Sequence, residues 1–221
     1  MRAMSGSGAR PRVRMTGAQR REQLLDIGRE LLGQKGYEAT SIEEIAARAD
    51  VSKPVVYEHF GGKDGLYAVV VDREMQFLLD RFTSALSAPG HPRELLERAA
   101  LVLLEYIEDH PDGFRVLTRD APVTSGAGSF SSLIGEVARK VEHLLGREFG
   151  SRGYDPQLAE LYSQALVGMV ALVGQWWLDT RSPGKHEVAA HLVNLAYNGL
   201  AHLESQPDLV QHPAVGSAPE V

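Results

Sequence analysis

The stretch from Thr40 to Lys63, TSIEEIAARADVSKPVVYEHFGGK, leaves the chain few folds to choose from. Ser41 stands where it can cap a helix, and Glu44 three residues on completes a Ser-x-x-Glu capping box. Ile45 and Ala46 fall on one inward face, and Ala46 is small enough for helices to approach closely. Ala49-Asp50-Val51 supplies a turn, and Ser52 can cap a second helix that starts at Lys53. Pro54 sits in the first turn of that helix, where its missing N–H breaks no intrahelical bond. Val56 and Phe60 point inward, which leaves Lys53, Val55, Tyr57 and His59 outside. Two short helices on a tight turn, with an outward set of small, basic and phenolic side chains, make a helix-turn-helix.

The flanks extend this unit in both directions. Residues Thr16 to Lys35 repeat helically, with Leu24, Gly28, Leu31 and Leu32 on one face. Gly36 is expected to end that helix as a left-handed C′ residue, with Tyr37 packing back. A third segment, Lys63 to Leu86, spaces Leu66, Tyr67, Val69, Val70, Val71, Phe77, Leu78 and Phe82 over more than one face. Such a helix must be sandwiched between the head and whatever follows.

After Pro89-Gly90-His91-Pro92 the helical spacing resumes over Pro92–Asp109, Phe114–Arg119, Phe130–Phe149, Asp155–Thr180 and His186–Leu203, with a loose segment at Asp120–Ser129. No alternating run is long enough for a strand, so the fold is all-α. The expected divisions are a flexible tail at 1–15, a three-helix helix-turn-helix head at 16–62, a helical body at 63–204 and a second tail at 205–221.

Charge narrows the partner. The net charge of −6 argues against indiscriminate nucleic-acid binding, but residues 1–60 hold ten Lys/Arg against eight Asp/Glu. The remainder holds thirteen against twenty-one. A slightly basic head on an acidic body suits a protein that touches phosphates through one end, although chance asymmetry of this size fits as well. Arg10, Arg12 and Arg14 suit either an arm reaching DNA or a solubilising tail. The chain has no cysteine, which removes disulfides and thiolate chemistry. The longest apolar run, Ala165 to Gly174, is half of the ~20 residues that cross a bilayer, and the N-terminal arginines lack a following apolar segment. A cytoplasmic protein without a membrane partner is expected.

At this point the residues carry a family resemblance. Gly36-Tyr37-x-x-Thr40-Ser41-x-x-x-Ile45-Ala46, Val51-Ser52-Lys53-x-x-x-Tyr57-x-His59-Phe60 and Lys63-x-x-Leu66 closely resemble the N-terminal domain of TetR-type transcriptional repressors. The match covers residues 16–70, and beyond it the likeness is architectural only. It implies a homodimer on a palindromic operator in double-stranded DNA, released by a small-molecule effector that binds the helical body. Lys53, Pro54 and Val55 would lie where the family reads base edges, Lys53 on guanine and the other two on a thymine methyl. Tyr57 and Lys63 would donate to phosphate, as would Ser41 and Ser52 with the free N–H groups at their helix starts. His59 fits a phosphate contact or a packing role equally.

Two positions depart from the family pattern. Asp50 occupies a turn position where the family often has Gly, and Asp tolerates the left-handed region. Gly61-Gly62 replaces the usual Ser or Asn cap of the next helix, which leaves that junction looser.

In the body, Leu161, Ala165, Gly168, Leu172 and Trp176 make one stripe. With Val188, Leu192, Leu195 and Gly199 it can build a four-helix interface in a two-fold dimer, or simply complete a monomer's core. The resemblance favours the dimer. A pocket is expected between the long linking helix and the helices beginning at Pro92, Phe130 and Asp155. Phe77, Tyr106, Phe114, Phe130, Met169 and Trp176 are its candidate walls, although such side chains more often belong to a core. An apolar lining would suit a lipophilic ligand.

Catalytic patterns are absent. In His186-Glu187-x-x-x-His191 the histidines are five apart and diverge by about 140° on a helix, so they cannot share a metal. Gly126-x-Gly128 lacks the third glycine and the preceding strand of a dinucleotide site. No catalytic residue, cofactor or metal site is therefore assigned. A helical enzyme and a protein-binding module remain as alternatives from other classes.

Overall fold

Helix ends in this chain are set by caps and by glycines in the positive-φ region. The computed structural model describes residues 15–119, 130–204 and 206–208. Among them lie nine α-helices and no strand: α1 Gly17–Ala39, α2 Ile42–Arg48, α3 Lys53–Phe60, α4 Lys63–Ser87, α5 Pro92–Asp109, α6 Pro111–Thr118, α7 Phe130–Arg152, α8 Leu158–Thr180 and α9 Lys185–Ala201. Arg10, Arg12, Arg14, the Asp120–Ser129 segment with Gly126 and Gly128, and most of the C-terminal tail lie outside the described residues.

The all-α reading holds, with differences at the ends of elements. Thr16 caps α1 through a reciprocal box with Gln19. Gly36 does break α1, but with φ 82° and ψ 172° it is not left-handed helical, and one further turn runs to Ala39 beyond the kink. The Gly36 carbonyl accepts from Thr40 Oγ1 at 2.8 Å. Glu44 does not close a box with Ser41, because its carboxylate is taken by Lys35 at 2.5 Å. The short helix expected from Phe114 begins three residues earlier, since Pro111 fits a first-turn position whose N–H has no partner to lose. Helix α7 continues through Gly150 to Arg152 and stops at Gly153, where φ is +77°.

Helices α1 to α3 form a small unit around Leu24, Leu31, Ile45, Val56 and Phe60. Helix α4 runs from it into the remaining helices, packing on α1 and α3 near its start and on α5, α6 and α7 further along. Helix α6 also packs against α1, so the first unit is held at two places. Helix α8 is long and apolar enough by composition to cross a membrane, which the contiguous-run argument missed because uncharged Gln164 and Gln175 interrupt it. Here it packs on α7 and α5.

Candidate DNA-reading surface and the cavity behind it

Ser41 Oγ accepts from the Glu44 N–H at 3.1 Å, which fixes the start of α2, and Ile42, Ile45 and Ala46 are buried. Asp50 adopts φ 54°, so the turn takes the left-handed conformation expected of it. Val51 N–H then returns to the Ala46 carbonyl at 3.0 Å. Ser52 occupies the N-cap of α3, but its side chain makes no capping bond. Its hydroxyl is thus left on the surface. Gly61 and Gly62 take φ 72° and 141°, so the two glycines that looked like a loosened junction supply conformations L-residues avoid. Helix α4 consequently starts tight under α3: a Cβ on Gly65 would fall 1.9 Å from the Phe60 carbonyl oxygen.

This local folding sorts the candidate residues. Ser52, Lys53, Pro54 and Tyr57 are exposed together along the front of α3, with Val55 and His59 half-buried beside them. Val56 and Phe60 are core. Lys53 is paired with Glu43 of α2, and its ammonium holds that carboxyl below the usual carboxylate range. Lys63 lies 4.1 Å over the Tyr37 ring and donates to the Glu38 carbonyl at 3.3 Å. Tyr37 donates its hydroxyl to Asp64; that bond, and then burial, push the phenol up to about 12. The His59 carbonyl accepts from Arg21, whose guanidinium stacks 4.6 Å from the Phe60 centroid. The surface thus offers two cations, Lys53 paired with Glu43 and Lys63 held on Tyr37, and the Tyr57 phenol beside two helix starts, a set that can meet a phosphate backbone.

Behind it lies a cavity of about 570 Å³ between α4, α5, α7 and α8, with Tyr197, Leu200 and Ala201 of α9 also lining it. Its wall is mostly apolar: Leu78, Phe82 and Leu86 of α4, Leu96 and Ala99 of α5, Val137, Val141 and Leu144 of α7, and Val167 and Val170 of α8. Arg147, Glu148, Ser151 and Arg152 lie at one end. Of the proposed wall residues, only Phe130 lines it. Tyr106 and Phe114 are fully buried in the core between α4 and α6, and Met169 packs on that core. Phe77 is exposed, its ring edge-on to His110 at 5.2 Å, and Trp176 is exposed on α8. Rings do line the cavity, but apart from Phe130 they are other ones, among them Phe82, Phe149 and Tyr197. The Leu133, Val137, Val141 and Leu144 stripe of α7 faces the cavity and is visible in the sequence as a helical repeat.

On the other side of α8, Leu161, Leu172 and Trp176 are 62%, 67% and 51% exposed, and Leu195 of α9 is 65% exposed. These are the outward positions of the stripe that can form a two-fold interface.

One polar feature was missed by sequence reading. Glu74 of α4 is buried, accepting from Tyr106 Oη at 2.8 Å and from Arg29 of α1 at 3.4 Å. The carboxylate and burial together push the Tyr106 phenol upward, burial being the larger cause. Its signal was present: Leu66, Val70, Glu74 and Leu78 repeat every four residues, and one of them is charged.

Comparison with known proteins agrees with this geometry. Residues 24–70 match the family described as bacterial regulatory proteins, tetR family, and residues 92–199 match the tetracyclin repressor-like C-terminal domain. The chain is 30% identical over 199 residues to the HTH-type transcriptional activator FasR of Mycolicibacterium smegmatis, covering 89% of this chain and 90% of that protein. A solved TetR-like transcriptional regulator from Rhodococcus sp. RHA1 superposes with TM-score 0.67 at 29% identity, covering 85% of this chain and 99% of that one. A tetR-family regulator from Streptomyces coelicolor gives 0.66 at 26%, over 85% and 82%.

Proposed function

This chain belongs to the tetR family of bacterial regulatory proteins, a DNA-binding family of transcriptional regulators, and from that premise we propose a homodimeric repressor released from a palindromic operator by a lipophilic ligand. Residues 16–62 read the DNA and residues 63–204 bind the ligand and the second copy, with flanking tails at 1–15 and 205–221. The protein acts in the cytoplasm, where its operator lies.

One observation carries this reading. Helix α4 begins at Lys63 beside the DNA-reading helix, and Leu78, Phe82 and Leu86 of the same helix line the cavity. At 1.5 Å per residue the two ends of that connection are ~22 Å apart, so a change in cavity packing tilts the element that places α3. The exposed apolar face of α8 and α9 is the surface through which two copies meet, because a palindrome needs two heads ~34–36 Å apart. Tyr57, Lys63, Ser41 and Ser52 hold phosphate, while Lys53, Pro54 and Val55 read bases and His59 flanks them.

Selection of bound fragments from random DNA tests the reading. Two symmetric half-sites one helical turn apart are expected, and no enriched sequence would sink it. A second reading, activation, is favoured by the name of the FasR relative, which is called an activator. A reporter carrying the selected site separates them: removing the chain raises expression for a repressor and lowers it for an activator. Release of the DNA by lipophilic compounds, and not by highly charged ones alone, is the expected outcome of a ligand screen.

A further inference from the structure

Glu74 is the only charged side chain buried among the described residues, at 4% exposure. It stands on the apolar stripe of α4, where Leu or Val would pack without desolvating a charge, so its presence needs a reason beyond stability. Its two oxygens serve two different parts of the molecule. Oε1 meets Arg29 of α1 at 3.4 Å, and Oε2 accepts the Tyr106 hydroxyl of α5 at 2.8 Å. Gly113 of α6 makes the space: a Cβ there would fall 2.4 Å from Oε2 and 2.7 Å from the Tyr106 hydroxyl oxygen.

The body side of this junction continues to the cavity. Tyr106 meets the Phe114 ring at 6.3 Å, and Phe114 meets Phe130 edge-on at 5.6 Å. Phe130 lines the cavity. Unbroken contact therefore runs from cavity wall to carboxylate to the first helix of the head. The rings that looked like ligand walls connect the cavity to Glu74.

We propose that Glu74 is a positioning residue for DNA binding: its carboxylate fixes the seat of the head on the body, and the Phe130–Phe114–Tyr106 contacts connect that seat to the cavity. The link to a ligand rests on the functional reading above, whereas the seating role does not.

The absence of cysteine allows a direct test. Spin labels at Ala47→Cys on α2 and His143→Cys on α7, both exposed positions, report the head-to-body distance. Labelled chain is diluted into unlabelled chain so that only intrachain pairs are read. Without DNA or effector, the otherwise unaltered chain gives one narrow distribution. Glu74→Gln keeps an acceptor for Tyr106 but loses the charge facing Arg29, and broadens or shifts that distribution by several ångström while helicity is retained. Tyr106→Phe, which removes one hydroxyl, moves it in the same sense and carries the test should Glu74→Gln fail to fold. Phe130→Leu gives a smaller shift that disappears in the Glu74→Gln background. An unchanged distribution in a folded Glu74→Gln or Tyr106→Phe chain overturns the seating role, and additive effects of Phe130→Leu and Glu74→Gln overturn the link to the cavity. A failed DNA selection overturns the functional reading and leaves the distance result standing.

Discussion

Gly33 of α1 and Asp112 of α6 meet at close range: a Cβ on Gly33 would lie 2.6 Å from the Asp112 Cβ and 2.7 Å from both its Cα and its carbonyl oxygen. Two of these atoms are backbone and the third, Cβ, is fixed by the backbone, so none can rotate away. Gly33→Ala therefore forces α1 off α6, at about 1–3 kcal/mol for overpacking. A fall of several degrees in thermal midpoint, followed by circular dichroism, is expected. Gly135→Ala is the control, because nothing lies within 4 Å of its added methyl in the interior of α7. There the substitution gains about 0.5–1 kcal/mol from lower chain entropy, and the midpoint rises.

Phosphate contacts and base contacts separate by their response to salt and sequence. Lys63→Ala removes one cation beside the start of α4 and lowers affinity for selected and random DNA alike. The slope of log affinity against log salt falls by about 0.9 for the lost phosphate. Tyr57→Phe, which removes only an exposed hydroxyl, weakens both classes of DNA with little change in slope. Val55→Ala instead alters which base is preferred at one position of each half-site. Fluorescence anisotropy over a salt series reads all three, and unchanged random-DNA affinity in Lys63→Ala removes Lys63 from the phosphate set.

Much of this surface was legible in the sequence, because its signals are local. Ser41, Asp50 and Pro54 each act within one turn of helix, whereas the Ser52 side chain makes no capping bond, and the spacing of Ile45, Val56 and Phe60 fixes what faces inward. Gly61 and Gly62 were legible only as a weak cap, since their positive φ values are set by where α4 must start. The cavity wall was harder. Whether a ring points into a cavity or a core depends on which helix lies opposite: Tyr106 faces Glu74 of α4 and the Phe114 ring of α6, and Phe114 lies between Tyr106 and Phe130. Glu74 was visible as a charge on an apolar stripe, but its partners are 45 and 32 residues away. No local pattern carries that information.

The exposed stripe on α8 and α9 predicts assembly. Leu172 and Leu195 leave a hydrophobic surface uncovered by any of the described residues. Leu172→Asp or Leu195→Asp places a charge at the centre of the proposed two-fold contact, where its own symmetry mate repeats it. Sedimentation velocity should show monomer for either variant at concentrations where the unsubstituted chain is a dimer. Operator affinity falls with it, because two linked heads bind with an effective concentration that separate heads lack. A variant that remains dimeric moves the interface elsewhere.

Filling the cavity should uncouple ligand from DNA. Moving the head population from 99:1 to 1:99 takes about 5.5 kcal/mol of differential affinity, which corresponds to ~220 Å² of apolar surface buried in one state and not the other. The apolar wall offers that surface only while the space is open to the ligand. Ala99 of α5 lines the cavity and is small, so Ala99→Phe sends a ring into the volume of about 570 Å³ without touching α1 to α3. Operator affinity is expected to stay within about three-fold, since the DNA-reading surface is untouched, while the compounds that release the unsubstituted chain lose their effect. Two measurements decide it, operator binding and binding with the releasing compound added. If release persists at the same compound concentration, the effector acts outside this cavity. If operator binding is lost without any compound, the ring itself imitates the ligand, and the cavity controls the head through packing alone.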